Sequence, residues 1–373
     1  MKPAAKRYVS LDILRGLTVA LMIVVNNPGS WSTMYPMLKH ASWDGCTPCD
    51  LVFPFFLFCV GVSMAFALAR YDSLDAVALK KIFRRGILLY VLGLLLNAYP
   101  FYPAGMDPSL SFWQNWTKWL GNLRLLGVLP KIAMCYVAAS VLALWLRSFR
   151  KIVCAVGVLC VLHVGLLLVF AGPEGAFTLD GNFASRVDLA VFGDSHIYHG
   201  YGVPFDPEGI LGVLTGTCTV LLGYLIGQSI RNEKSQSAAV EVSARTFAVS
   251  AGLLLGGLVL SIWIPLNKPL WSVSYVFYAA GWASFVLALL IYLIDHKGWE
   301  KPFFPFKALG MNALALFVLS CLLMKSIWRF SGWDYQAIFG TTEFLSLVYS
   351  LMFLTVHLVI AVIMYRKKIF IKL

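Results

Sequence analysis

Apolar runs of roughly twenty residues, each long enough to cross a bilayer as one helix, recur along the whole 373-residue sequence and restrict its fold more than any other feature. Ten spans are read, at 11–27, 50–69, 82–99, 122–146, 151–171, 209–230, 246–265, 271–294, 307–327 and 343–364. Only 13% of residues are charged, against about 25% in soluble domains, so a water-soluble core-and-surface design is excluded. The expected fold class is an all-α polytopic membrane protein of about ten transmembrane helices. One domain, 1–373, is expected, and the polar 232–245 stretch is a candidate joint between two bundles.

The formal charge of +12 raises nucleic acid as a partner. Yet the basic residues are scattered between apolar runs instead of gathered on one face, which is the pattern of topological charge. With the N-terminus cytoplasmic, 22 of the 30 Lys and Arg fall in inner segments. The outer side keeps Lys39, Lys118, Arg124, Lys131, Arg186, Lys268, Lys325 and Arg329. The positive-inside rule then puts both termini in the cytoplasm. The first span is followed by no small-residue cleavage site and is expected to be retained. The inner loops are short and basic, whereas the outer loops 28–49, 100–121 and 172–208 carry Trp, Tyr, His, Asp and Pro. Long ordered loops are usually functional. No internal or inverted repeat stands out, which disfavours a repeat-built transporter.

Chemistry-bearing residues concentrate at the span ends. In "SLDILRGLTVALMIVVNN", Asp12 and Arg15 share a helix face as a local ion pair or as a polar mouth for an anionic ligand. Asn26 and Asn27 end that span. His40 follows in the outer loop and Asp50 opens span 2, where its carboxylate also suits an N-terminal cap. An imidazole with an amide and a carboxylate nearby suits a general base with orienting partners. Arg124 and Lys131, seven apart, are expected on one face of span 4, with Lys131 about 13 Å inside its outer end at 1.5 Å per residue. An ionisable residue at that depth is a functional candidate, with snorkelling as the competing account. Asn267 and Lys268 lie in a tight outer turn, and Asn312 is a buried amide of span 9.

The loop "GDSHIYHGYGVPFDPEG" sets Asp194, His196 and His199 at a spacing that invites a metal reading without a strong zinc signature. Sugar contacts by Asp194 and His196, beside the outer-loop aromatics including Trp43, are preferred, and no metal is expected. His163 and His357 fall within apolar spans and are expected to make interhelical hydrogen bonds. Cys46-x-x-Cys49 allows a disulfide in an oxidising compartment, or redox exchange. No thioredoxin-like pattern surrounds it, so a structural or incidental pair is preferred.

The sequence resembles the catalytic membrane domain of the heparan-α-glucosaminide N-acetyltransferase family and its bacterial relatives. The resemblance is carried by "SLDILRGLTVALMIVVN", "KHASWDGCTPCDLVFPFFLFCVG", "GVLPKIA", "GDSHIY", "FDPEGILG", "PLNKPLWSVSYV" and "GMNALALF". It implies a transmembrane acyltransferase fold and transfer of acetyl from cytoplasmic acetyl-CoA to a glucosamine amine on the outer side. It also implies that His40 is catalytic, Asn26 its partner and Asp50 an orienting residue. Asp12, Arg15, Arg124, Lys131 and Asn312 become candidates for the donor; Trp43, Asp194, His196, Asn267 and Lys268 become candidates for the acceptor. The expected partners are acetyl-CoA, an amino-sugar or glycosaminoglycan-like acceptor, the lipid bilayer and a possible second copy as homodimer, with no nucleic acid. A bacterial inner membrane is the expected location. An amino-sugar permease and an O-acetyltransferase of an envelope polysaccharide are the alternatives. Two departures stand out: the family's "GVLQR" reads "GVLPK" here, and Cys49 replaces an alanine. The lysosomal enzyme's N-terminal luminal portion is expected to be lacking.

Overall fold

The computed structural model describes residues 8–101, 106–233 and 239–371. Lys2, Lys6, Arg7, Lys234 and Lys372 of the charge pattern, and residues 234–238 of the candidate joint, lie outside them.

Among the described residues the chain is all-helical, with fourteen helices. They are α1 Val9–Asn26, α2 Pro48–Ala67, α3 Ala76–Ala98, α4 Phe112–Leu120, α5 Val128–Leu146, α6 Phe149–Val169 and α7 Phe183–Phe192, followed by α8 Leu211–Asn232, α9 Ala239–Leu260, α10 Val273–Leu290, α11 Phe304–Met311, α12 Ala313–Phe330, α13 Tyr335–Phe339 and α14 Glu343–Arg366. In hydrocarbon a backbone must satisfy its own hydrogen bonds, and helices do so within each segment.

Nine of the helices are long and apolar enough to cross a membrane; the chain is an integral multi-pass membrane protein. The remaining expected span is α3, whose first half holds Lys80, Lys81, Arg84 and Arg85 and is too charged to qualify. The expected span 307–327 is two helices, α11 and α12, interrupted at Asn312.

Burial separates core helices from peripheral ones. The central windows of α1 and α8 are 72% buried, and those of α2 and α5 61%, whereas α6, α9, α12 and α14 bury 28% or less. The outer set presents apolar residues such as Val161, Leu255, Trp328 and Val356 on the surface, as lipid-facing helices do. The core helices meet backbone to backbone through glycine. A Cβ on Gly61 of α2 would lie 1.9 Å from the Val220 carbonyl oxygen of α8, and one on Gly310 of α11 would lie 1.8 Å from that of Asp12 on α1. Small residues are the usual device for such approach in a bilayer, where no hydrophobic force drives helix against helix.

The first turn of α1 lies against α11, and Asn312 just beyond α11 holds the C-terminal stretch Ile369–Ile371. Both ends of the described chain therefore occupy one end of the bundle. Asn26, Asp50 and Val128 mark the other.

Candidate active site

Span 1 ends at Asn26 and α2 starts at Pro48, so the connecting loop carries His40 over that opposite end. The loop is pinned on both sides of the histidine. Thr47 Oγ1 donates to the Lys39 carbonyl at 2.7 Å, and the Ala41 N–H donates to Asp50 Oδ2 at 3.0 Å. The Thr47 N–H donates to the same oxygen at 3.0 Å, as expected of a capping residue at the third helical position. Asp50 Oδ1 lies 2.7 Å from His40 Nδ1 and 3.5 Å from Lys268 Nζ.

Asp50 is 1% exposed, and a bare carboxylate buried so fully costs several kcal/mol; these donors offset that cost. A carboxylate only accepts, so Nδ1 carries the imidazole proton and Nε2 presents its lone pair. Lys268 Nζ lies 3.0 Å from Nδ1 and 3.3 Å from Nε2, against the same ring. The His40 side chain is 45% exposed, so Nε2 is reachable.

These groups wall a cavity of about 110 Å³ shared by Asn26, His40, Cys49, Phe53, Glu208 and Lys268. The Asn26 carboxamide has no partner among the described residues and is free to donate to a ligand. Cys49 Sγ is 3.2 Å from His40 Nδ1, packed beside the ring. All eight cysteines are free thiols. Burial pushes the Cys46 thiol up to about 12, with the Asp50 charge acting the same way; it is a poor thiolate former.

Two loops buttress this cavity. Asn267 is fully committed: its Nδ2 donates to the Trp43 carbonyl at 3.2 Å and to Asp44 Oδ1 at 3.1 Å, and its Oδ1 accepts from the Leu270 N–H at 2.7 Å. It thereby locks the turn that projects Lys268. Trp43 donates its indole N–H to the Phe177 carbonyl at 2.8 Å and packs edge-on to Phe205 and Tyr201. The second buttress is Arg124, which grips Asp206 through Nε at 2.8 Å and Nη2 at 2.6 Å, and Glu208 Oε2 through Nη2 at 2.5 Å. Burial opposes the guanidinium charge, but the two carboxylates outweigh it and raise its affinity for the proton.

The expected shared helix face of Arg124 and Lys131 is corrected by Gly127, whose φ of +145° begins α5 late. Residues 123–126 are non-helical, and Asn97 Nδ2 bonds the carbonyls of Arg124 and Leu126. Lys131 is accordingly in the first turn of α5, about 4.5 Å along the helix at 1.5 Å per residue instead of about 13 Å. It is fully buried, donating to the Pro207 carbonyl at 3.0 Å with its ammonium 4.0 Å from the Trp271 ring centre. Both cations thus converge on the loop 206–208, at the end opposite Asp12.

A larger cavity, about 290 Å³, opens at that other end between Arg15, Ser63, Arg85, Tyr136, Met311 and Ile371. Arg15 is paired with Asp12 at 2.5 Å, and the Arg85 guanidinium lies 4.8 Å from the Tyr136 ring centre. Arg15 Nε, Arg85 Nε and Ser63 Oγ are buried with no hydrogen-bond partner among the described residues. Unspent cationic donors in a cavity suit an anion. Asn312 uses both ends of its amide on the C-terminal stretch, donating to the Ile369 carbonyl at 3.0 Å and accepting from the Ile371 N–H at 2.9 Å. It shapes the cavity through Ile371 without lining it.

The two cavities share one side of α2. Cys49, Val52 and Phe53 face the small one, while Phe56, Val60 and Ser63 face the large one; the three- and four-residue steps keep them in one column. Arg15 and Asn26 are eleven residues apart on α1, about 16 Å at 1.5 Å per residue.

The structure does not bring Asp194 or His196 to either cavity. Asp194 is exposed and pairs with His199 at 3.2 Å, and His196 Nδ1 bonds the Leu123 carbonyl at 2.7 Å. No cluster able to hold a metal ion occurs among the described residues. His357 bonds the Phe353 carbonyl one turn back on its own helix, not across helices, and the buried His163 ring lies against the Leu270 backbone. Asp188 on α7, outside the spans, accepts from the Ile210 N–H with Oδ1 while Oδ2 is buried without a partner among the described residues. Burial pushes its carboxyl up to about 7.

Arg85, Ser63 and Glu208 went unrecognised as site residues. Arg85 reads as topological charge, Ser63 as span interior, and Glu208 as one of several loop carboxylates; only the folded path shows which cavities they line.

The family model described as heparan-alpha-glucosaminide N-acetyltransferase, catalytic, matches residues 7–267. The heparan-alpha-glucosaminide N-acetyltransferase of Mus musculus is 28% identical over 425 residues, covering 100% of this chain and 61% of its own length. That of Homo sapiens is 29% identical over 419 residues, covering 98% and 60% respectively. The chain therefore spans about 60% of the length of the curated relatives it matches.

Proposed function

The chain belongs to the heparan-alpha-glucosaminide N-acetyltransferase catalytic family, and on that premise we propose that it moves acetyl from cytoplasmic acetyl-CoA to the amine of a terminal glucosamine-type sugar on the outer side. The observation that carries this is the pair of cavities along one side of α2, one cationic and one holding His40 and Asn26. A compact substrate does not bridge about 16 Å of helix; a thioester on a long flexible arm does.

The donor's anionic nucleotide is held at the basic rim by Arg15 and Arg85, with Ser63 on the arm. Asn26 donates to the thioester oxygen as negative charge develops there, a contribution on the order of 10²–10³ in rate for one such donor. His40 Nε2 removes a proton from the acceptor amine, whose lone pair forms the C–N bond. The C–S bond breaks, and the proton passes from His40 to the departing CoA sulfur. Asp50 holds the Nδ1–H tautomer throughout. An acetyl-imidazole at Nε2 is the two-step form of the same chemistry, and CoA release without acceptor would identify it.

Purified protein given labelled acetyl-CoA and glucosamine is expected to yield labelled amide, and His40→Ala to reduce turnover by about 10²-fold or more with the protein still monodisperse. Sugar accumulating unmodified in vesicles without acetyl-CoA would instead identify a permease. Labelled ester would identify O-acetylation.

A further inference from the structure

Glu208 is unlike the other carboxylates around the small cavity. Asp50 spends both oxygens on Ala41, Thr47, His40 and Lys268. Asp206 accepts Arg124 on both oxygens, and its Oδ1 also accepts the Glu208 N–H at 2.9 Å. Glu208 lines the cavity, gives Oε2 to Arg124, and leaves Oε1 with no partner among the described residues. Arg124 makes a two-pronged contact with Asp206 and a single contact, through Nη2, with Glu208. Lys131 is turned to the Pro207 carbonyl and the Trp271 ring, and Lys268 to His40 and Asp50. A carboxylate oxygen at a cavity wall, with its partner oxygen fixed by Arg124 and its own lone pairs unused, is an acceptor for an ammonium.

We propose that Glu208 is the specificity-determining residue for the acceptor: it receives the protonated amine of the sugar at Oε1, orients the nitrogen toward His40, and makes the site select amines over hydroxyls. This rests on the acetyl-transfer reading and names what distinguishes its acceptor. An amino sugar near neutral pH arrives largely as an ammonium, which a neutral site would bind no better than the corresponding alcohol. The proton count closes. Of the three ammonium protons, one leaves to the outer aqueous phase before attack. The second passes through His40 to the CoA sulfur as the C–N bond forms and the C–S bond breaks, and the third remains on the amide. Arg124 acts as a positioning residue, fixing the carboxylate through Oε2.

The test uses the full chain in detergent, first without donor. Glucosamine is titrated against glucose, its neutral counterpart, by calorimetry. The wild type is expected to prefer glucosamine by about tenfold, the scale of one charged hydrogen bond. Glu208→Gln is expected to abolish that preference and Glu208→Asp to restore part of it. With acetyl-CoA present, Glu208→Gln should raise the glucosamine KM about tenfold while leaving the acetyl-CoA KM unchanged, a split that a general loss of structure does not produce. An equal preference for the two sugars in the wild type, or a Glu208→Gln protein that keeps the amine preference, overturns the proposal. Wild-type protein that prefers glucosamine but never acetylates it would overturn the transfer reading and leave Glu208 as an amine-binding residue.

Discussion

Asp50 closes the first turn of α2, pins the loop after His40 at Ala41 and Thr47, and fixes the imidazole tautomer. Asp50→Asn keeps the shape but can offer its NH₂ to Nδ1, which reverses the tautomer. Turnover is expected to fall by on the order of 10²–10⁴ with little change in thermal stability; unchanged turnover would remove Asp50 from the orienting role. Asp188 carries a different prediction. Its carboxyl titrates near 7 in the fold against an ordinary 3.8, so the folded state binds that proton more tightly than the unfolded chain. The resulting stability is complete below the ordinary value and lost as pH rises through 7. Thermal unfolding midpoints from pH 5 to 8 should fall for the wild type and flatten in Asp188→Asn; equal slopes would contradict the assignment. At this scale the sequence led to the grouping of His40, Asn26 and Asp50, which are close in the chain and lie at one end of the bundle. Lys268 was read as a turn residue with acceptor contacts; its hydrogen bond to His40 spans 228 positions, and no local pattern reports such a contact.

Helix boundaries decide which residues become neighbours. Nine of the ten expected spans each overlap a single helix, since apolar length fixes a membrane helix, but α3 and α9 begin six and seven residues before the expected 82–99 and 246–265. Two further discrepancies are at backbone punctuation: Gly127 delays α5 and moves Arg124 into a loop, and Asn312 divides the ninth span. Hydropathy does not register either break. Backbone contact through glycine gives a prediction at this scale. Gly61→Val would drive a side chain into α8 at Val220, whereas a side chain at Gly157 meets nothing within 4 Å. Gly61→Val is expected to cost at least about 1–3 kcal/mol and lower the melting temperature in detergent, with Gly157→Val near neutral. Similar behaviour of the two would deny the close α2–α8 approach. Arg85→Ala, at the other cavity, is expected to raise the acetyl-CoA KM several-fold and leave that for glucosamine unchanged.

For the whole molecule, charge and geometry point the same way. The Lys and Arg bias carries the expectation of a cytoplasmic Asp12 end, and the chain's described ends meet at that end. The cationic cavity opens there and the His40 cavity at the opposite end. The all-helical membrane class was legible from composition and run length alone; the column linking the cavities was not, because it arises from how α1, α2 and α5 pack. The central claim is that one chain joins a donor on one side of the membrane to an acceptor on the other. It is tested most directly in sealed vesicles of defined orientation, with labelled acetyl-CoA confined to the cytoplasmic-face compartment and a membrane-impermeant glucosamine oligosaccharide confined to the other. Labelled amide on the oligosaccharide, absent with His40→Ala, is the predicted result. Product formed only when donor and acceptor share a compartment would contradict it.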